Sequence, residues 1–113
     1  MKALTVRQPW AQLIADGHKT IELRTWATKY RGPLLITASA RQNPDKLPTG
    51  CTICIVDLID CRPAGDGDPE KALSDVYQDD FAWVLANPRP VACLPVKGRL
   101  SIWSPPDDLV ASL

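Results

Sequence analysis

Gly17-His18-Lys19-Thr20-Ile21-Glu22-Leu23-Arg24 places a lysine, a glutamate and an arginine within six residues. A short helix should end at Gly17 and a strand should follow. Glu22 and Arg24 are two apart, so a strand points both toward one face, while Ile21 and Leu23 point the other way, into a core. Lys19 stands beside the turn, where strand alternation does not fix its direction. A cation, an acid and a cation after a glycine turn make a candidate polar site. The plain alternative is a solvated strand face carrying a surface ion pair of small energetic worth.

Upstream, Arg7-Gln8-Pro9-Trp10 puts Pro9 where a helix takes its first residue, a position that needs no N–H. The pattern predicts a strand over 4–6, a helix over 9–16 and a strand over 19–26. Downstream, Tyr30-Arg31-Gly32-Pro33 is a turn, followed by a strand over 33–40. Residues 41–50 are a polar, proline-bearing connection, and 51–61 are a long apolar strand rich in β-branched residues. Residues 63–69 form a Gly/Asp/Pro loop without the spacing of a calcium-binding hand. Asp68 is expected to cap a helix that has Pro69 first, Glu70 in its first turn and an end near Tyr77. Two strands over 81–85 and 91–96 are expected, linked through 86–90, and then a short strand over 100–103 and a frayed acidic tail. This is a mostly β member of the α+β class, with short strands suited to a closed or half-closed barrel and helices at its ends.

The same segments carry a run of motifs. Gly17, Lys19, Glu22 and Arg24 spell G-x-K-x-x-E-x-R. Gln8, Pro9, Trp10 and Ala11 give Q-P-W-A; Arg24 and Trp26 give R-x-W, and Arg31 and Gly32 give R-G. Later come Pro48, Gly50 and Cys51, then Val56 to Cys61, Asn87-Pro88, and Pro95, Lys97 and Gly98 ahead of Ile102-Trp103. This order closely resembles the ASCH domain family, and its cointegrator-like branch in particular. The resemblance runs from about Leu4 to Trp103. It implies a PUA-like small β-barrel with flanking helices, similar to the pseudouridine-synthase-associated RNA-binding fold.

Length and composition agree with one domain over 1–113, with a core over about 4–103 and a tail over 104–113. No apolar run approaches the roughly 20 residues that span a bilayer. No signal-peptide core precedes Arg7 and Pro9, which points to the cytoplasm. Net charge is zero, which argues against a strong nonspecific grip over the whole surface. Its distribution is uneven. Residues 1–46 hold eight cations against three acids, a net +5, and the remainder holds five against ten, a net −5. A polarised molecule could present a basic region to phosphates, although sequence halves need not be spatial halves.

The four cysteines do not spell a metal site. Cys51 and Cys54 read as parts of one continuous strand, where a spacing of three sends their sulfurs to opposite faces. A zinc knuckle needs a turn between them. They are expected to be buried, reduced and apolar in character, as are Cys61 and Cys93. His18 is the sole histidine and is expected to be exposed. No metal and no cofactor is expected.

Two chemistries suit these residues. In a nucleic-acid-binding module, Lys19, Arg24, Arg31 and Lys97 meet phosphates of RNA or single-stranded DNA. Gln8 reads a base edge through its amide. Trp10 or Trp26 offers a stacking face of roughly 1–3 kcal/mol per base. Glu22 orients a cation or accepts from an exocyclic amine, and Ser39 is a candidate on the facing strand, at an end where its hydroxyl could reach the cleft. Trp10 has a structural alternative, packing into the core with Leu13 and Ile14. The second chemistry comes from an ASCH branch of small amidohydrolases that deacetylate acetylcytidine, in which the motif lysine is a key catalytic residue. Lys19 matches it, and Glu22 would be its neighbour in catalysis. That branch has threonine where this chain has Glu22, and a later glutamate for which Glu70 is the only candidate after Glu22. A further branch acts as a metal-assisted ribonuclease, and the cointegrator branch works as an appendage of a larger assembly. No protein partner is specified by the sequence.

Overall fold

The computed structural model describes residues 1–74 and 79–113. Its elements are β1 (Lys2–Val6), α1 (Trp10–Ala15), β2 (Ile21–Arg24), β3 (Gly32–Ala38), β4 (Cys51–Pro63), α2 (Asp68–Ala72), β5 (Phe81–Pro90), β6 (Ile102–Trp103) and α3 (Asp107–Ala111). The strands form one six-stranded sheet in the order β2-β5-β4-β3-β1-β6. Among the described residues only the β1–β3 pair is parallel, with Leu4 opposite Ile36. The sheet curls into a half-barrel, as a PUA-like fold requires, and α1 closes its hollow.

The curl follows from where apolar side chains fall. Leu4, Val6, Ile14, Leu34, Ile36, Val56, Leu58 and Trp83 fill the main core. Removing each such side chain from water is worth about 1.5–3 kcal/mol. Residues Leu34–Ala38 of β3 are buried on both faces. The reason is a second, smaller cluster of Ala3, Leu35 and Trp103 on the other side, sealed by Val91, Val96 and Leu113. The C-terminal segment is thus part of the fold. The expected frayed tail is instead the helix α3, followed by an anchored Leu113.

Several boundaries differ from the sequence reading. Pro9 is the residue before α1, entered through a cis Gln8–Pro9 bond. Gly17 ends that helix with φ +79, a left-handed conformation that a Cβ would strain. Asp68 is the first residue of α2, with Gly67 in the capping position. Its carboxylate instead accepts from the Gly65 N–H at 2.8 Å and from the Arg62 guanidinium at 2.8 and 3.0 Å. The helix ends at Ala72, with Leu73 at φ +57, so the expected continuation stops there; residues 75–78 lie outside the described residues. One strand, β5, replaces the expected strand 81–85 and its linker, and 91–96 carries only an isolated Cys51–Pro95 bridge. Pro88 and Pro90 argue against pairing because they cannot donate. Here the register shift between Ile55 and Asp57 steps over Asn87-Pro88, and Pro90 stands opposite Cys54 at the end of the ladder. The last strand holds only Ile102–Trp103, because Ser101 turns at φ +63.

The cysteines also depart from expectation. The register between β3 and β4 jumps from Ile36–Cys54 to Thr37–Thr52, which leaves Ile53 as an extra bulge residue. A bulge resets strand alternation. Cys51, Ile53 and Cys54 therefore share one buried cluster instead of opposing faces. Cys51 is joined to Cys93 in a disulfide with Cα atoms 5.3 Å apart, so these two are not reduced. Cys54 is free and buried, and burial pushes its thiol up to about 12.

Candidate functional site

Lys19 leaves α1 through two backbone bonds onto the Leu13 carbonyl, from the His18 and Lys19 N–H groups. The next residue, Thr20, donates its N–H to the Lys71 carbonyl of α2. The lysine side chain is thereby turned inward, between the end of α2 and the start of β2. Its ammonium donates to the Ala72 carbonyl at 2.5 Å and lies 3.3 Å from Glu22 Oε1. The Lys19 side chain is 1% exposed and that of Glu22 11%. Burial lowers the Lys19 pKa, Glu22 pulls it back up, and Arg24 lowers it further.

Glu22 serves two cations. Its Oε2 accepts from Arg24 Nη2 at 2.9 Å and from Arg24 Nε at 3.2 Å. Strand alternation accounts for this pairing, since Glu22 and Arg24 project from the same face of β2. Arg24 Nη2 also donates to the Thr5 carbonyl of β1 at 3.0 Å. Such charge-assisted bonds are about twice as strong as neutral ones. The arrangement Lys19–Glu22–Arg24–Thr5 is one continuous network.

A cavity of about 360 Å³ opens over this network. Thr5, Arg7, Trp10, Lys19, Glu22 and Arg24 line it, and Ser39 and Ser74 complete its walls. Arg7 is exposed, and its side chain has no partner among the described residues. A buried lysine and a clamped arginine at the floor, with a free arginine at the mouth, give the cavity a cationic lining. A half-buried indole beside them supplies a flat apolar surface.

The structure thus brings Lys19, Glu22, Arg24, Trp10 and Ser39 together. Gln8 is 4% exposed, and its amide is committed to backbone. Its Nε2 donates to the Pro48 carbonyl at 3.0 Å, and its Oε1 accepts the Gln12 N–H at 2.9 Å. Trp26 stands apart, packed edge-on against Trp83 at 4.7 Å, with its carbonyl accepting the Trp83 indole N–H. Arg31 is exposed, donates to the Thr28 and Tyr30 carbonyls, and lies 3.7 Å from Asp60. Lys97 borders an adjoining groove. Thr5, Arg7 and Ser74 were not singled out from the sequence. Thr5 was findable as the outward polar residue between Leu4 and Val6, and Arg7 as the cation next to the Q-P-W-A run. Nothing local in the sequence reports Ser74 or the Ala72 carbonyl.

Among the described residues, no group of three His, Cys, Asp or Glu side chains is placed to hold a metal ion. No helix among them is long and apolar enough to cross a membrane.

A family model described as "ASCH domain" matches residues 4–95. Activating signal cointegrator 1 of Homo sapiens is 32% identical over 126 aligned positions, which cover 88% of this chain and 21% of that protein. Activating signal cointegrator 1 of Mus musculus is 30% identical with the same coverage. The chain therefore spans only about 21% of the length of these curated relatives. The crystal structure of ASCH from Zymomonas mobilis superposes with a TM-score of 0.78 at 12% identity, covering 98% of this chain and 91% of that one. That likeness speaks to the fold.

Proposed function

The chain belongs to the ASCH domain family, and on that premise we propose that it recognises RNA or single-stranded DNA through the cleft over Lys19, Glu22 and Arg24. The observation that carries this reading is the cationic cavity of about 360 Å³ with a half-buried indole in its wall. A nucleotide offers an anion and a flat ring together, and the cleft offers a partner for each. Arg24 and Arg7 are the cations for phosphate oxygens. Lys19, whose ammonium is directed at Ala72 and Glu22 and whose side chain is 1% exposed, adds positive charge beneath the cleft. Trp10 supplies the stacking surface, and Ser39 a hydroxyl on the opposite wall. Glu22 keeps Arg24 and Lys19 aimed, and its carboxylate disfavours bare anions that bring no base.

The test is binding of short labelled RNA and single-stranded DNA across a range of salt, for the parent, Arg7→Ala and Arg24→Gln. Salt-sensitive binding that weakens in both variants is expected. Parent binding that neither variant changes overturns the cleft assignment.

A second reading, an amidohydrolase acting on acetylated cytidine, has one observation in its favour. Burial lowers the Lys19 pKa, the direction a catalytic amine needs. Against it, Glu22 and the Ala72 carbonyl both favour the charged ammonium. Glu70 is exposed and does not line the cleft. Acetate release from acetylcytidine by the parent but not by Lys19→Met would decide for this reading.

A further inference from the structure

A second depression, of about 380 Å³, adjoins the cleft and shares Thr5 and Ser39 with it. Its far wall is the segment Lys97-Gly98-Arg99-Leu100. This segment belongs to no helix or strand, yet its backbone is fixed at several points. The Arg99 N–H donates to Thr5 Oγ1 at 3.2 Å. The Val96 N–H just before it donates to the Gly50 carbonyl at 3.0 Å. At Gly98 a Cβ would lie 2.7 Å from Thr5 Cγ2, so only glycine lets the segment sit this close to β1. The side chains are left out of that anchoring. The Lys97 and Arg99 side chains are exposed and make no hydrogen bond or ion pair among the described residues, and Leu100 is 95% exposed.

Thr5 joins this arm to the cleft. Its carbonyl receives Arg24 at 3.0 Å, while its hydroxyl receives the arm. Arg24, Arg7, Lys97 and Arg99 thus border two depressions that meet at one residue. Free cations on a surface are common and by themselves mean little. A backbone hydrogen-bonded to β1 that presents two of them and a bare leucine along a groove continuous with a cationic cleft is a more specific arrangement.

We propose that residues 97–100 are a strand-guiding arm. The sugar-phosphate backbone of a single-stranded nucleic acid leaves the cleft over Ser39 and Thr5 and runs along the arm. Lys97 and Arg99 meet successive phosphates, and Leu100 packs against a sugar or base face. This deepens the nucleic-acid reading of the cleft and rests on it. The cleft holds one nucleotide, and the arm makes the ligand a strand.

The experiment compares the parent with a Lys97→Ala/Arg99→Ala double variant and with Gly98→Ala. The probes are a uridine mononucleotide and an oligouridylate of about twelve residues, within the usual span of single-strand sites. Equal melting temperatures of the parent and the double variant establish that folding is intact. The double variant is expected to hold the mononucleotide as the parent does. It should bind the oligomer about tenfold more weakly, with a salt slope shallower by about 1.4, two contacts' worth. Gly98→Ala, which displaces the arm without removing a charge, should weaken the oligomer in the same sense. Unchanged oligomer affinity in the double variant overturns the arm and leaves the cleft standing. Equal loss for both probes overturns it too, because the arm then acts on the cleft and not on the strand. A parent that binds neither probe at low salt removes the cleft reading and the arm together.

Discussion

Arg24 of β2 donates to the Thr5 carbonyl of β1 at 3.0 Å, although β5, β4 and β3 stand between those strands in the sheet. The two strands share no ladder. They meet because the sheet curls until its ends approach, and a guanidinium bridges the gap. The candidate site therefore lies at the seam of the half-barrel, where backbone groups are not consumed by pairing and side chains decide what is held.

Glu22→Gln should be strongly destabilising. It leaves Lys19, with a side chain 1% exposed, without its acid. Removing one partner of a buried pair typically costs about 3–5 kcal/mol. Urea denaturation of Glu22→Gln and of the Lys19→Met/Glu22→Gln pair checks this. The double variant should be more stable than Glu22→Gln alone, since the uncompensated charge is gone.

The Lys19 pKa sets a pH dependence at the alkaline end. It is lowered on folding from 10.5, with burial the leading cause. Between the folded value and 10.5 the unfolded chain binds more protons, so this residue's contribution to stability rises with pH there. Its penalty is present in full below the folded value and vanishes as the pH approaches 10.5. Parent stability relative to Lys19→Met should thus improve on going from neutral to alkaline buffer, as measured by chemical denaturation.

Asp68 sets the opposite dependence at the acid end. Arg62, together with the Gly65 N–H, holds its carboxyl at about 2, below the usual 3.8. The stability it confers is complete above 3.8 and is lost as the pH falls through about 2. Asp68→Asn should cost about 1.5–3 kcal/mol near neutrality. The gap between parent and variant should close in acid titrations followed by circular dichroism.

Gln8→Ala should lower stability by about 1–3 kcal/mol, because it strands the Pro48 carbonyl and the Gln12 N–H. A variant that keeps the parent's melting temperature but loses oligonucleotide binding would instead return Gln8 to the ligand.

The Gly17–Arg24 stretch made the ion-paired centre of the candidate cleft legible in advance. A glycine stop, alternation along β2 and two cations around one acid are all local signals. The long strand β4 was legible over 51–61 from another local signal, its apolar run, and the structure extends it to Pro63. What escaped was set by distant chain. The Ala72 carbonyl that takes Lys19 lies 53 residues away, and the Cys93 that joins Cys51 lies 42 away. The bulge at Ile53 overturned the face assignment of Cys51 and Cys54, because alternation cannot reveal an extra residue that its partner strand omits. Pro88 and Pro90 hid the length of β5, and α3 was hidden because a short Asp-led segment after two prolines carries no apolar pattern of its own.

A seam drawn shut by a side-chain clasp has a mechanical consequence. A β-ladder opens only by giving up many bonds together, whereas the Arg24–Thr5 clasp can be undone singly. On the nucleic-acid reading proposed above, the wall strands are expected to spread a little while the four ladders behind them keep their register, so that one scaffold takes guests of different girth. Entry of a guest should then be felt first as faster amide exchange at the rims of β1 and β2, with the β3–β4 interior silent.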